Sequence, residues 1–272
     1  MGMLKITMIV LLLLMPAWSP ATPGDLDFFV IQPGQPGSAE EARPVMSALA
    51  DYLERQLKGE TAVEGAYFNM TEEALEALKP KVPTWGIVSL GFFIEYGARL
   101  DMYPIASTRP GGKSHERWYL LVARGGPQSW QQVAGTVLGT MLYQPQSAAR
   151  LMFAVEPDKL PFALEGTSSP LRALRDVARG QAAGVILDYS QYQALQALPL
   201  FKDLEVITRS EPLPTAPVVS FGPPGERERR ISEILQQMKQ DPAAQNLLQL
   251  LQTDGFGPPD PGLGSYVGNG KK

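Results

Sequence analysis

The chain contains no cysteine and a single histidine, His115. The first absence excludes a disulfide scaffold, a thiol nucleophile, a cysteine-ligated zinc and lipid attachment through an amino-terminal cysteine. The second leaves no histidine-rich metal site, only one built from carboxylates. A Ser-His-Asp triad would have to use His115, which lies in the polar stretch 111–117, a segment that reads as a loop. Basic runs are also missing, and the net charge is -4, which argues against a polyanionic partner such as nucleic acid. No pair of carboxylates stands out as an acid–base couple. Glu40-Glu41 and Glu72-Glu73 fall in the first turns of expected helices, where the helix dipole favours acids. These absences point away from an enzyme and call for no cofactor.

What is present begins with a leader. Lys5 precedes an apolar stretch over residues 6–14, and small residues follow at Ser19-Pro20-Ala21. This is the pattern of a secretory signal peptide over residues 1–21, because a membrane-spanning helix needs about twenty apolar residues. An uncleaved anchor or a buried strand is the alternative. Export would place the protein in the periplasm.

Beyond residue 25 the pattern alternates between strand and helix. The apolar run 26–31 closes on Pro33-Gly34 and Pro36-Gly37, a strand then a loop. Over 38–57 apolar residues recur at Val45, Met46, Leu49, Leu53 and Leu57, one face of a helix, with Ser38 and Glu41 as a capping box. Pro44 suggests that the regular helix starts there. Strands are expected over 61–68, 85–88, 118–123, 136–142, 162–164, 184–187, 204–208 and at Val218-Val219. Helices are expected over 71–78, 90–98, 147–153, 170–179 (Ser169 as its cap), 189–197, 226–240 and 243–251. The tail 257–272, rich in Gly and Pro, reads as disordered. The fold class is therefore α/β, two sets of mainly parallel sheet flanked by helices, the second inserted into the first. On such sheets ligands bind beyond the carboxyl ends of the strands.

Several segments match a known pattern in order and spacing. They are Val30-Ile31-Gln32-Pro33-Gly34-Gln35-Pro36, Leu49-Ala50-Asp51-Tyr52-Leu53-Glu54, Trp85-Gly86-Ile87-Val88-Ser89-Leu90-Gly91, Trp118-Tyr119-Leu120-Leu121-Val122-Ala123-Arg124, the unit 171–188, Val206-Ile207-Thr208-Arg209-Ser210-Glu211-Pro212 and Asp254-Gly255-Phe256. Together the chain resembles phosphonate-type periplasmic substrate-binding proteins of ABC transporters, across most of residues 26–260. The resemblance implies a type II periplasmic-binding-protein-like fold, two lobes joined by two crossover strands. Lobe 1 would comprise 22–121 plus 213–256 and lobe 2 would comprise 122–212. Hinges are implied near 122–125 and 208–216. It also implies a small, phosphonate- or phosphate-like oxyanion as ligand and an inner-membrane ABC permease as partner. Three departures stand against that ligand. The Ser-Thr-Ser-Gly-like cluster is absent from 136–147, Asn69-Met70-Thr71 stands where an aromatic is usual, and Ala183 or Gly184 replaces an acid.

Candidate ligand contacts follow from position. Gln32 lies in the first loop, Tyr67 and Asn69 end the second strand, and Ser89 ends the third. Thr140 and Ser147 flank a loop of the second set and could supply hydroxyls. Asp188 ends a late strand, where it could accept a hydrogen bond from a ligand amine, and Tyr189 could stack on a ligand. Each also has a structural reading: Ser89 and Asp188 as helix caps, the tyrosines as packing. The expected function is an exported protein that closes over a small solute for transport. The alternative is a periplasmic sensory or partner-binding module of the same fold, working with a membrane sensor.

Overall fold

A computed structural model describes residues 26–268; the expected leader lies outside them. The chain begins with β1 (Leu26–Ile31), α1 (Ala39–Gln56), β2 (Val63–Phe68), α2 (Thr71–Ala77), β3 (Trp85–Val88), α3 (Leu90–Tyr96) and β4 (Met102–Thr108). It crosses through β5 (His115–Glu116) to β6 (Tyr119–Ala123), β7 (Gly135–Gly139), α4 (Pro145–Phe153), β8 (Phe162–Gly166), α5 (Pro170–Ala178), β9 (Gly184–Leu187), α6 (Tyr189–Leu195) and β10 (Leu204–Arg209). It returns through β11 (Leu213–Pro214) to β12 (Pro217–Phe221), α7 (Glu226–Gln237), α8 (Gln245–Leu250), β13 (Phe256–Gly257) and α9 (Leu263–Gly268).

Two sheets result. The six-stranded one has the order β13-β4-β12-β3-β1-β2 and the five-stranded one β10-β6-β9-β7-β8. Both are mixed. β1 runs parallel to β2 and β3, while the returning β12 inserts antiparallel between β3 and β4. In the second sheet β7 is parallel to β8 and β9, and β6 is antiparallel to β9 and β10. Insertion of one α/β set into the other forces this, since a chain that leaves and returns must enter each sheet against the βαβ direction.

The two crossings are tied to each other. β5 and β11 form a short antiparallel ladder, His115 opposite Pro214 and Glu116 opposite Leu213. The buried Thr215 donates its hydroxyl to Thr108 O at 2.7 Å, and the buried Ser210 hydroxyl accepts from Trp118 N at 3.0 Å. β6 already lies in the second sheet from Tyr119 onward. The first crossing is therefore residues 109–118, ahead of the hinge expected at 122–125, because apolar Leu120, Leu121 and Val122 are fully buried in the second sheet's core.

Local expectations fail where tertiary contacts decide. The capping box of α1 forms, with Ser38 N donating to Glu41 Oε2 at 2.7 Å. The helix nevertheless starts at Ala39 and runs through Pro44, which sits exposed near its amino end. Met46, Leu49 and Leu53 on the buried face outweigh the one hydrogen bond that Pro44 removes. Ser169 makes no side-chain cap bond to α5. β4 was not expected, since Pro104 breaks an otherwise readable alternation. β7 ends at Gly139 and turns into a 3-10 segment, Thr140–Tyr143, so the strand expected to 142 is shorter.

The tail departs most from expectation. Up to residue 268 it is structured rather than disordered: β13 pairs with β4, the Arg109 guanidinium donates to Pro258 O at 2.8 Å, and His115 Nε2 meets Asp260 at 3.1 Å. Leu263 is fully buried in the apolar cluster that includes Phe92 and Met102. One well-placed leucine anchors a segment whose composition reads as loop. Leu263→Ala is expected to lower the unfolding free energy by about 2–4 kcal/mol, measured by urea denaturation; an unchanged midpoint would mean that the tail does not dock.

Candidate functional site

The loop between β1 and α1 faces the start of α6 across the crossing pair. Between them lies a cleft of about 390 Å³, within the usual range for small-molecule sites. A smaller inner chamber of about 80 Å³ continues from it, and the two share Gln32, Gln35, Glu116, Asp188 and Ala216. One wall of the large chamber is apolar: Val30, Val45, Met46, Ile87 and Phe256, with Tyr67 beside them. Thr108, Thr215 and Ala216 of the crossings form its back. Asp188, Ser190 and Gln191 are the contribution of the second sheet's side.

The loop is rigidly placed. Gln32 N donates to Phe68 O at 2.8 Å and Gly34 N to Asn69 O at 3.0 Å. The Asn69 amide in turn donates to Gly37 O at 2.5 Å. Gly34 has φ of +82°, and a Cβ there would stand 2.3 Å from Thr140 O and 2.7 Å from the Tyr143 ring. This glycine is required both by its left-handed backbone and by the close approach of the two sheets' loops.

The sheets also meet at a second place. Gln144 Nε2, buried, donates to Thr71 Oγ1 at 2.8 Å. The Ser147 hydroxyl donates to Gly91 O at 3.2 Å and its N–H to Glu95 Oε1 at 3.0 Å. One apolar cluster runs through this contact, from Ile31, Val88, Phe92 and Phe93 on the first sheet's side to Leu120, Val137, Leu142 and Met152 on the second's. The structure is thus a closed arrangement.

Of the candidates read from sequence, Gln32, Tyr67, Ser89, Thr140 and Asp188 line the cleft or its inner chamber. Asn69, Ser147 and Tyr189 do not. Asn69 holds the first loop and Ser147 holds the sheets together. Tyr189 receives Lys113, whose Nζ lies 2.9 Å from its hydroxyl and 4.1 Å from its ring centroid. Ser89 and Asp188 are caps as well as lining groups: Ser89 Oγ accepts from Phe92 N at 3.2 Å and Asp188 Oδ1 from Gln191 N at 2.8 Å. Thr140 Oγ1 accepts from Gln191 Nε2 at 2.9 Å. Sequence reading missed Gln35, Glu116, Gln144 and Gln191. Glu116 stands in a polar run without periodicity; the one signal in the sequence is an acid shortly before the strand that enters the second sheet.

Glu116 and Asp188 dominate the electrostatics. Burial pushes the Glu116 carboxyl up to about 8, and the Asp188 charge adds to the effect, while the Trp118 indole and the Tyr189 N–H oppose it. Burial also raises Asp188, against the N–H groups of Gln191 and Ser190. Tyr67 is raised by burial. Among the described residues no three His, Asp or Glu side chains group as metal ligands.

Two outcomes are expected. Between the ordinary carboxylate value of 4.5 and about 8, folded Glu116 holds a proton that the unfolded chain has released. Stability contributed by that proton is full below the lower value and is lost as pH rises through the upper one. Unfolding free energy should therefore fall from about pH 5 to about pH 8, and Glu116→Gln should flatten the slope in urea titrations. Gly34→Val should hold the sheets apart, seen as a larger radius of gyration by small-angle scattering; an unchanged radius would refute the closed contact.

In sequence, the model of the family described as "ABC transporter, phosphonate, periplasmic substrate-binding protein" matches residues 36–262. No curated protein matches the chain in sequence. In structure, a Xanthomonas citri protein solved with chloride is similar at TM-score 0.70 and 20% identity, over 90% of this chain and 95% of that one. A binding-protein component of an ABC phosphonate transporter from Pseudomonas aeruginosa has TM-score 0.64 and 14% identity, over 88% and 82%. A Prochlorococcus marinus protein in complex with methylphosphonate has TM-score 0.65 and 12% identity, over 92% and 97%. At these identities the structural likeness concerns the two-lobed fold alone, but the sequence match covers most of the chain. Two interleaved α/β sheets, tied by a pair of crossings and enclosing a polar-floored cleft, complete the argument: the chain belongs to the phosphonate-type family of periplasmic substrate-binding proteins of ABC transporters.

Proposed function

We propose that this chain is exported by its leader, captures one small solute in the cleft between its sheets, and delivers it to an inner-membrane ABC permease. The single observation that carries this is the cleft itself. It lies where the β1 loop, the crossings and the start of α6 converge, it is about 390 Å³ in volume, and it is floored by polar groups and walled by apolar ones. Gln32, Gln35 and Gln191 offer amides, Thr140 and Ser89 hydroxyls, and Tyr67 a ring. Such a mixture orients one polar solute and shields its apolar part.

The two sheets act as two lobes. Their relative motion is concentrated in residues 109–118 and 210–216, which are joined by the short β5–β11 ladder. The closed contacts at Gly34 and Ser147 then define the ligand-bound state. Family membership supports a binding role over catalysis, and no step of chemistry is assigned to these residues.

The test is capture. The purified protein, exposed to a mixture of small polar metabolites, should retain one of them at 1:1 stoichiometry in native mass spectrometry. Ala216→Trp, which fills the shared floor of both chambers, should abolish retention while leaving the far-UV spectrum unchanged. Tyr67→Ala and Gln32→Ala should each weaken retention at least tenfold. A wild-type protein that retains nothing would overturn the reading.

A further inference from the structure

The cleft has a charge that its family description does not imply. The formally charged side chains lining its two chambers are Glu41, Glu116 and Asp188; no Lys, Arg or His lines either chamber among the described residues. Glu41 is engaged at the mouth in the α1 capping box. Glu116, from the crossing pair, and Asp188, from the start of α6, line both chambers.

The basic groups of the surrounding segments are turned to other partners. Lys113 sits on Tyr189, Arg117 donates to Ser210 O, Arg109 to Thr108 O and Pro258 O, and His115 meets Asp260. The groups facing Glu116 are the Asp188 carboxylate, the Trp118 indole N–H and the Tyr189 N–H. Two neutral donors therefore serve one carboxylate, and no Lys, Arg or His of the described residues lines the chambers to balance the pair. An oxyanion placed here would add like charge to a partly dry cavity, whereas a cationic group would supply the missing counter-charge. The facing wall of Val30, Met46, Ile87 and Phe256 is apolar.

Resting on the solute-binding reading above, we infer that the ligand is a small organic cation with an apolar body, its ammonium or guanidinium group held between Glu116 and Asp188. Once Glu116 is ionised, a free oxyanion such as phosphate, or a simple phosphonate, meets like charge on the same pair. The site is the cleft already described; the carboxylates decide what it admits.

The experiment is isothermal titration of the purified protein with phenethylammonium and agmatine, against methylphosphonate and inorganic phosphate. A cation favours the ionised pair, so its binding releases a proton. Cation affinity should rise up to about tenfold per pH unit from about pH 6 and level off above about pH 8. Above about pH 8, where the pair is ionised, the anions should give no heat at millimolar concentration. Glu116→Gln and Asp188→Asn keep side-chain size, and Asn still caps α6; each should weaken cation binding at least tenfold with no fall in melting temperature. The wild-type pH profile needs no variant. Tighter binding of methylphosphonate or phosphate than of either cation overturns this inference while leaving the solute-binding reading intact. Silence from both cations, or cation binding indifferent to pH and to both substitutions, overturns it too. Failure of the broader reading shows differently, as a protein that retains no solute at all in native mass spectrometry.

Discussion

Two crossing segments, laid antiparallel as β5 and β11, are the constraint on which the cleft depends. The second sheet is built from the chain between the two crossings, whereas the first takes strands from both sides of them and cannot be completed until the chain has returned. β12 fills the gap between β3 and β4 only after the chain has traversed the second sheet. The Ser210 hydroxyl accepts the Trp118 N–H of the opposite crossing, and the Thr215 hydroxyl donates to Thr108 O where that crossing begins. Glu116 is carried on this same ladder. The mechanical centre of the molecule and its electrostatic centre therefore coincide.

Closure uses a different set of contacts. The loop after β1 approaches the turn after β7 so closely that only glycine fits at residue 34. The amide of Gln144 and the hydroxyl of Ser147 bridge α2, α3 and α4. Polar side chains that resemble ligand donors in a sequence are here donors between lobes. Buried polar groups of this kind favour one closed geometry over its neighbours, because a small displacement leaves them unsatisfied.

Asp188 shows how one residue serves two ends. Its carboxylate accepts the Gln191 N–H at the start of α6, and the same carboxylate lines both chambers. A cap position fixes the side chain against the helix, which is what a ligand contact also needs. The alternative between cap and contact, natural from sequence, is therefore not an opposition in the folded protein.

Local pattern was enough to place most elements. Apolar runs at 26–31, 85–88 and 184–187, the Ser38–Glu41 box and the spacing of Met46, Leu49 and Leu53 are short-range signals, and order and spacing together made the family legible. Gln32, Tyr67, Ser89, Thr140 and Asp188 were legible as lining groups because strand ends face the cleft in this topology. What required tertiary structure were pairings between distant residues. Leu263 is buried only because α3 and β4 form a surface for it, and Ser147 turns to Gly91 rather than to the cleft. Glu116 faces Asp188 only because two crossings bring residues 116 and 188 to one cavity. Charge is additive along a sequence, but its effect depends on distance and burial, and those exist only once the chain has folded.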